Sequence, residues 1–187
     1  MPACTIVEIS DKDIEECRRI AKERNDPKQR HGVLDQRFSR RESSEEIHVV
    51  GALGELAVAR SLGLPIQHYP ERIAGDGGVS DQRLTDGRTL QVKSTSYLQR
   101  EGLLFREYAK FKADLAVFVI VAADYHSCLI MGWATREQFY KEAQMIDLGY
   151  GPNPMLPLAR LQPWQSLVDE LGAINCGACS LPQLRYF

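Results

Sequence analysis

The 187-residue chain has no apolar run long enough to span a lipid bilayer. Its longest run, from Leu115 to Ala123, has nine residues, whereas a membrane-spanning helix needs about 20. The N-terminal residues also lack the basic region and apolar core of a secretory signal. We therefore expect a cytoplasmic protein with no membrane partner, and we interpret the apolar run as a buried central strand.

The chain has only five cysteines, which is an odd number. Without a secretory signal, that count favours a reducing compartment over a disulfide framework. Cys176 and Cys179 form a single Cys-x-x-Cys motif near the C-terminus. A zinc or iron–sulfur site needs two further ligands, and no other cysteine or histidine stands at ligand spacing from this motif. We do not expect a structural metal there.

Two common catalytic motifs are also missing. The sequence contains no Gly-x-x-x-x-Gly-Lys-Ser/Thr loop and no Gly-x-Ser-x-Gly elbow, which disfavours ATP hydrolysis and serine hydrolase chemistry. The formal net charge of -2 argues against a protein that coats nucleic acid through bulk charge.

Positive charge is nevertheless concentrated in one segment. Between Arg18 and Arg41 there are nine basic residues against three acids. Arg37, Arg40 and Arg41 are our candidates for contacts with nucleic-acid phosphates, since such contacts supply most sequence-independent affinity. The alternative is a solvated charged surface with no ligand.

The most informative segment runs from Asp81 to Lys93 and predicts a β-hairpin. Asp86-Gly87 is a two-residue turn signal between two short runs of strand-forming residues. Gln91 and Lys93 are two residues apart, so their side chains point to the same face of a strand. Folding at the turn brings Asp81 back beside them. Glu55 precedes this hairpin on a predicted helix that is otherwise apolar on one face.

These residue types suit the hydrolysis of a phosphodiester bond. Carboxylate and amide oxygens, here from Glu55, Asp81 and Gln91, are ligands for a hard divalent cation. Such a cation polarises a phosphoryl oxygen and acidifies a water molecule. Lys93 would orient that water or offset the charge of the transition state. Asp76, in a glycine-rich loop, competes with Asp81 as a ligand and ranks second, because Asp81 stands at the start of the strand.

The order of these residues resembles the PD-(D/E)-x-K nuclease superfamily over about residues 44–140. Glu55 matches the acid on the family's helix, Asp81 the acid on its hairpin, and Lys93 its lysine. Gln91 stands where the second acid is usual, which removes one negative charge from the metal site. The family does contain members with glutamine at this position.

The resemblance implies a restriction-endonuclease-like core and a metal-dependent endo- or exodeoxyribonuclease. Its cofactor would be Mg or Mn, held by Glu55, Asp81, Gln91 and the backbone carbonyl of Val92. Its partner would be DNA, with a homodimer as the candidate assembly. Two alternatives stay open: a catalytically inactive nucleic-acid-binding protein with the nuclease fold, and a phage structural or assembly protein.

We expect an α/β protein with a central mixed sheet of four to five strands flanked by helices. Residues 1–43 would form a helix over about 11–24, ended by Asn25-Asp26-Pro27, and a basic arm. Residues 44–148 would form the nuclease-like core. Residues 149–187 would form a proline-rich extension packed on the core.

Other sequence signals predict where individual helices and loops begin and end. Ser10 and Asp13 have the spacing of a capping box at the start of the first helix. A second helix begins near Ser43-Ser44 and is stopped by Gly63. In the extension, Gly151-Pro152-Asn153-Pro154 predicts a loop, and residues 163–172 predict a short helix.

Overall fold

A computed structural model describes residues 4–30, 43–65, 80–149 and 151–174 of the chain. Over these residues the fold is α/β, with a mixed five-stranded sheet, a three-stranded sheet and four α-helices. The predictions that concern Arg37, Arg40, Arg41, Asp76, Cys176 and Cys179 lie outside the described residues.

The helices are α1 (Asp11–Arg30), α2 (Ser44–Ser61), α3 (Arg136–Glu142) and α4 (Trp164–Ile174). In the described part of the chain, no helix has both the length and the apolar character needed to cross a membrane. The strands are β1 (Thr5–Glu8), β2 (Gln82–Arg83), β3 (Thr89–Thr95), β4 (Gly102–Leu104), β5 (Leu115–Val121), β6 (Ser127–Thr135), β7 (Gln144–Asp147) and β8 (Pro152–Pro157).

The larger sheet has the order β1-β6-β5-β3-β2, with β3 and β5 parallel and the other pairs antiparallel. All seven residues of β5 are buried, which confirms the predicted central strand. One face of the sheet packs against α1, α2 and α4 in the larger hydrophobic core. The other face packs against a smaller core formed with β4, β8 and α3.

The start of α2 has the predicted position. The Ser43 hydroxyl accepts a hydrogen bond from the Glu46 amide, and the Glu46 carboxylate accepts one from the Ser43 amide. This reciprocal capping box satisfies two amides that the first turn of a helix leaves without a partner. Gly63 follows the helix with a φ of +64°, the left-handed conformation that commonly ends a helix.

Helix α1 begins as predicted and ends later than predicted. Asp13 accepts hydrogen bonds from both the Ser10 amide and the Ser10 hydroxyl. The expected end at Pro27 is wrong, since the helix continues to Arg30. A proline removes one helical hydrogen bond and crowds the preceding turn, which weakens a helix without fixing its last residue.

The predicted hairpin forms between β2 and β3, with Gln82 opposite Leu90. Its turn is longer than predicted. The Leu84 amide donates to the Arg88 carbonyl, and the Gly87 amide donates back to the Leu84 carbonyl. Gly87 has a φ of +91°, as the last residue of a three-residue hairpin loop usually does. The additional loop residue shifts the strand register by one residue relative to a two-residue turn.

The loop predicted at Gly151-Pro152-Asn153-Pro154 is wrong. Pro152–Pro157 forms β8, the middle strand of the three-stranded sheet, whose order is β4-β8-β7. Proline lacks an amide hydrogen, but its carbonyl still accepts, and the Phe105 amide donates to the Pro154 carbonyl at 3.1 Å. Helix α4 also continues past Gly172, because a single glycine weakens a helix by only about 1 kcal/mol. Four α4 side chains join the larger core: Trp164, Leu167, Val168 and Leu171.

Two cysteines, Cys17 and Cys128, are buried in the larger core. Burial raises the pKa of each thiol to about 12. Both therefore stay protonated at neutral pH and are unsuited to nucleophilic chemistry.

Candidate active site

Asp81 lies at the edge of β3 that faces away from β5. Its amide donates to the Leu90 carbonyl at 2.9 Å, and its carboxylate accepts from the Val92 amide at 2.7 Å. Beyond β2, no described strand pairs with this edge of β3. In an extended strand, the N–H and C=O of one residue point to the same side, so the Val92 carbonyl also faces this edge. The predicted approach of Asp81 to the second hairpin strand is therefore present.

Glu55 lies on α2 and forms an ion pair with Arg24 of α1. The two guanidinium nitrogens of Arg24 donate to the two carboxylate oxygens of Glu55 at 2.9 and 2.7 Å. The side chains of Arg24 and Glu55 are only 21% and 15% exposed. Such a two-bond pair between planar groups is the strongest form of a charge-assisted hydrogen bond. The carboxylate on the apolar face of α2 is therefore satisfied from the neighbouring helix.

The charge of Asp81 also acts on Arg24. Burial lowers the pKa of the Arg24 guanidinium, but the bonds to Glu55 and the charges of Glu55 and Asp81 outweigh it. The net result is a pKa above the ordinary arginine value. The guanidinium thus stabilises two of the predicted metal ligands at once.

Arg24 is not among the site residues that the sequence predicts. The signal for it is present in α1. Cys17, Ile20 and Ala21 form the buried stripe of that helix, and Arg24 is the next position of the same i, i+3, i+4, i+7 series. A cation on an apolar helical stripe has to meet an acid in the core, and Glu55 supplies that acid.

Gln91 and Lys93 share one face of β3, as predicted, but this face points away from α2. Their partners on β5 are Ala116 and Phe118, which belong to the smaller core. The ammonium of Lys93 lies 4.9 Å from the centre of the Phe105 ring, within the range of a cation–π contact.

Gln91 is 9% exposed, and no described residue forms a hydrogen bond with its side-chain oxygen. A buried carbonyl oxygen without a partner is costly, and such atoms are often satisfied by a water, an ion or a ligand. The structure therefore places Glu55 and the Gln91–Lys93 pair over opposite faces of the sheet, with Asp81 at the edge between them.

Helix α2 approaches β3 unusually closely at Gly54, the residue before Glu55. A Cβ atom at this position would lie 1.9 Å from the Ser94 hydroxyl oxygen and 2.9 Å from the Ser94 Cβ. Both distances are shorter than non-bonded atoms tolerate. The absence of a side chain at residue 54 therefore sets the distance of Glu55 from the strand that carries Gln91 and Lys93.

The donor chemistry of the site fits a small hard cation. The carboxylates of Glu55 and Asp81, the Gln91 amide oxygen and the Val92 carbonyl are all oxygen ligands of the kind that Mg and Mn prefer. Among the residues that the structure describes, no three His, Cys, Asp or Glu side chains form a ready metal cluster. Glu55 already gives both oxygens to Arg24, so a cation there has to compete with the guanidinium.

A comparison with protein families identifies a family for the N-terminal half of the chain. Residues 1–96 match the model of DUF5843, described as a family of unknown function. This match covers more than half of the 187 residues. The chain belongs to DUF5843. The DUF5843 segment ends one residue after β3, so that it contains Arg24, Glu55, Asp81, Gln91 and Lys93.

A search of the curated proteins found no match to the chain. Because the DUF5843 description names no activity, function has to be inferred from the site itself.

Proposed function

We propose that the protein is a metal-dependent nuclease that hydrolyses phosphodiester bonds in DNA. The main support is the position of Asp81, whose carboxylate is fixed against the Val92 amide at the open edge of β3. Gln91 adds a buried oxygen without a described partner. Glu55 adds a second acid, and the pKa of its partner Arg24 is also raised by the charge of Asp81. Lys93 lies on the same face of β3 as Gln91.

Each residue would have a separate role. Asp81 and the Val92 carbonyl, at the edge between the two faces of the sheet, would hold a Mg or Mn ion. Glu55 would reach this ion from the α2 face and Gln91 from the opposite face. That ion, when bound, would polarise the phosphoryl oxygen and acidify a water molecule. Lys93 would place its ammonium near the developing negative charge. For this, Lys93 has to exchange its contact with the Phe105 ring for one with the phosphate.

A second candidate is a DNA-binding protein of similar fold that does not cut. Two observations favour it: Arg24 occupies both oxygens of Glu55, and Gln91 replaces an acid. Each of these two features would lower the affinity of the site for a divalent cation.

Cleavage assays separate the two candidates. Linear duplex, supercoiled circular, single-stranded and branched DNA would each be incubated with Mg, with Mn or with EDTA. We expect cutting of at least one form with Mg or Mn and none with EDTA. Binding of the same DNA in EDTA without cutting under any condition would favour the binding protein.

The DNA contacts can be tested through their dependence on salt. An open pocket of about 1020 Å³ at the N-terminal ends of β3 and β5 includes the exposed side chains of Lys112 and Lys141. If both contact phosphates, the Lys112→Gln/Lys141→Gln variant should bind duplex DNA more weakly. The slope of log affinity against log salt should fall by about 2. The same measurement on an Arg37→Gln/Arg40→Gln/Arg41→Gln variant tests the predicted basic arm, and an unchanged slope identifies a segment that touches no phosphate.

A further inference from the structure

Arg24 pairs with one of the two acids that the proposed nuclease needs for its metal. Its guanidinium holds both oxygens of Glu55 in a mostly buried ion pair, and the charge of Asp81 acts on the same guanidinium. Two carboxylates in a partly buried setting repel one another unless a positive charge lies near both. Arg24 supplies such a charge directly to Glu55.

An arginine and a divalent cation cannot satisfy Glu55 in the same way at the same time. The planar fork of the guanidinium uses one oxygen for each of its two hydrogen bonds, which leaves neither oxygen free of a cationic neighbour. A metal ion that takes Glu55 as a ligand therefore has to displace at least one of these bonds. It must also overcome the repulsion between its own charge and that of Arg24.

We propose that Arg24 is a positioning residue that sets the metal affinity of the Glu55–Asp81 site. In the metal-free protein it holds Glu55 in place, and it turns away from Glu55 when a divalent cation binds. This inference rests on the proposed function, because it concerns the same site. It adds that metal binding is weak, because it is coupled to the release of Arg24 from its ion pair with Glu55.

The test is a titration with Mn in the absence of DNA, in which isothermal titration calorimetry measures the Mn affinity. We would compare the wild type with Arg24→Met, which removes the charge and keeps much of the side-chain volume. Arg24→Met should bind Mn at least about tenfold more tightly, because Arg24 then no longer competes with the metal for Glu55. Arg24→Lys should lie between the two, since lysine keeps the charge but not the fork.

Arg19→Met is the matched control. Arg19 lies on the same helix and also pairs with two acids, Glu16 and Glu23, but on the exposed surface. Its removal should leave the Mn affinity unchanged. Circular dichroism checks that each variant is folded. If Arg24→Met folds only with Mn, the Mn concentration at half folding gives its affinity, because a ligand that binds the folded state stabilises it.

An Mn affinity of Arg24→Met equal to or below that of the wild type would overturn the inference. So would an equal gain in Arg19→Met. Should Arg24→Met fail to fold even with Mn, then Arg24→Lys decides, and it must bind Mn more tightly than the wild type. Failure here is distinct from failure of the proposed function. A protein that cuts DNA without an Mn gain in the Arg24 variants remains a nuclease, whereas an Mn gain without any cutting leaves the role of Arg24 intact.

Discussion

Asp81→Asn should reduce metal-dependent DNA cleavage by about a thousandfold or more, which corresponds to about 4 kcal/mol of transition-state stabilisation. The substitution removes the negative charge that would bind the metal. It keeps an oxygen that can still accept the hydrogen bond from the Val92 amide, so the fold should be preserved. Lys93→Met should cause a loss of similar size, because it removes the ammonium and keeps an apolar side chain against Phe105. Rates would be measured on the DNA form that the wild type cuts best.

Asp124→Asn serves as the control for Asp81→Asn. Asp124 also accepts a hydrogen bond from a backbone amide, that of His126 at 3.0 Å, but it lies in the turn between β5 and β6. Its substitution should leave the cleavage rate within about twofold, since its carboxylate has no part in the site. Cutting by Asp81→Asn and Lys93→Met at the wild-type rate would show that this site does not perform the reaction. The proposed DNA binding should survive in both variants, because phosphate contacts away from the metal site would carry most of it.

Gly54→Ala should lower the free energy of unfolding by about 1–2 kcal/mol, although alanine favours helices. The new methyl group would collide with Ser94, and overpacking of this kind costs typically 1–3 kcal/mol. Gly51→Ala, one turn earlier on α2, should instead be neutral or stabilise by about 0.5–1 kcal/mol, because no atom lies within 4 Å of the added Cβ. Equilibrium urea unfolding of both variants measures the difference, which we expect to be about 2 kcal/mol.

Ser94→Ala tests whether a steric clash causes the loss of stability expected for Gly54→Ala. The Ser94 hydroxyl has no hydrogen-bond partner among the described residues, so its removal alone should have little effect. Combined with Gly54→Ala, it removes the nearer of the two clashing atoms and should restore part of the lost stability. Additive losses in the double variant would mean that the close approach of α2 to β3 is not the cause.

The elements that the sequence predicted correctly are those with strong local signals. The capping residues Ser43 and Glu46 located the start of α2, and the apolar composition of β5 marked a buried strand. The hairpin was found from its Asp-Gly pair, but its register was not. Whether the loop has two or three residues depends on how the strands twist and pack, which the dipeptide does not determine.

What escaped prediction depends on contacts between distant segments. The pairing of Arg24 with Glu55 joins two helices, and only the helical stripe on α1 hints at it. Strand β8 contains three prolines, whose local preferences oppose a strand, yet burial against β4 and β7 overrides them. The choice of sheet face for Gln91 and Lys93 was equally hidden, because alternation along a strand says which residues share a face and not which layer covers it.

The pairing of β1 with β6 has a consequence for how this protein is made. Thr5, near the start of the chain, pairs with Ile130, and β3 pairs in parallel with β5, which begins at Leu115. The wide separation of Thr5 and Ile130 in the sequence raises the contact order and slows folding, because a long loop must close before they pair. On the ribosome, at about 5–20 residues per second, β1 therefore emerges roughly 6–25 seconds before its partner β6, and β3 about 1–5 seconds before β5. During that interval the Glu55–Asp81 site has no finished sheet to hold it, so the nascent DUF5843 segment can assemble the site only after the chain beyond it has been synthesised.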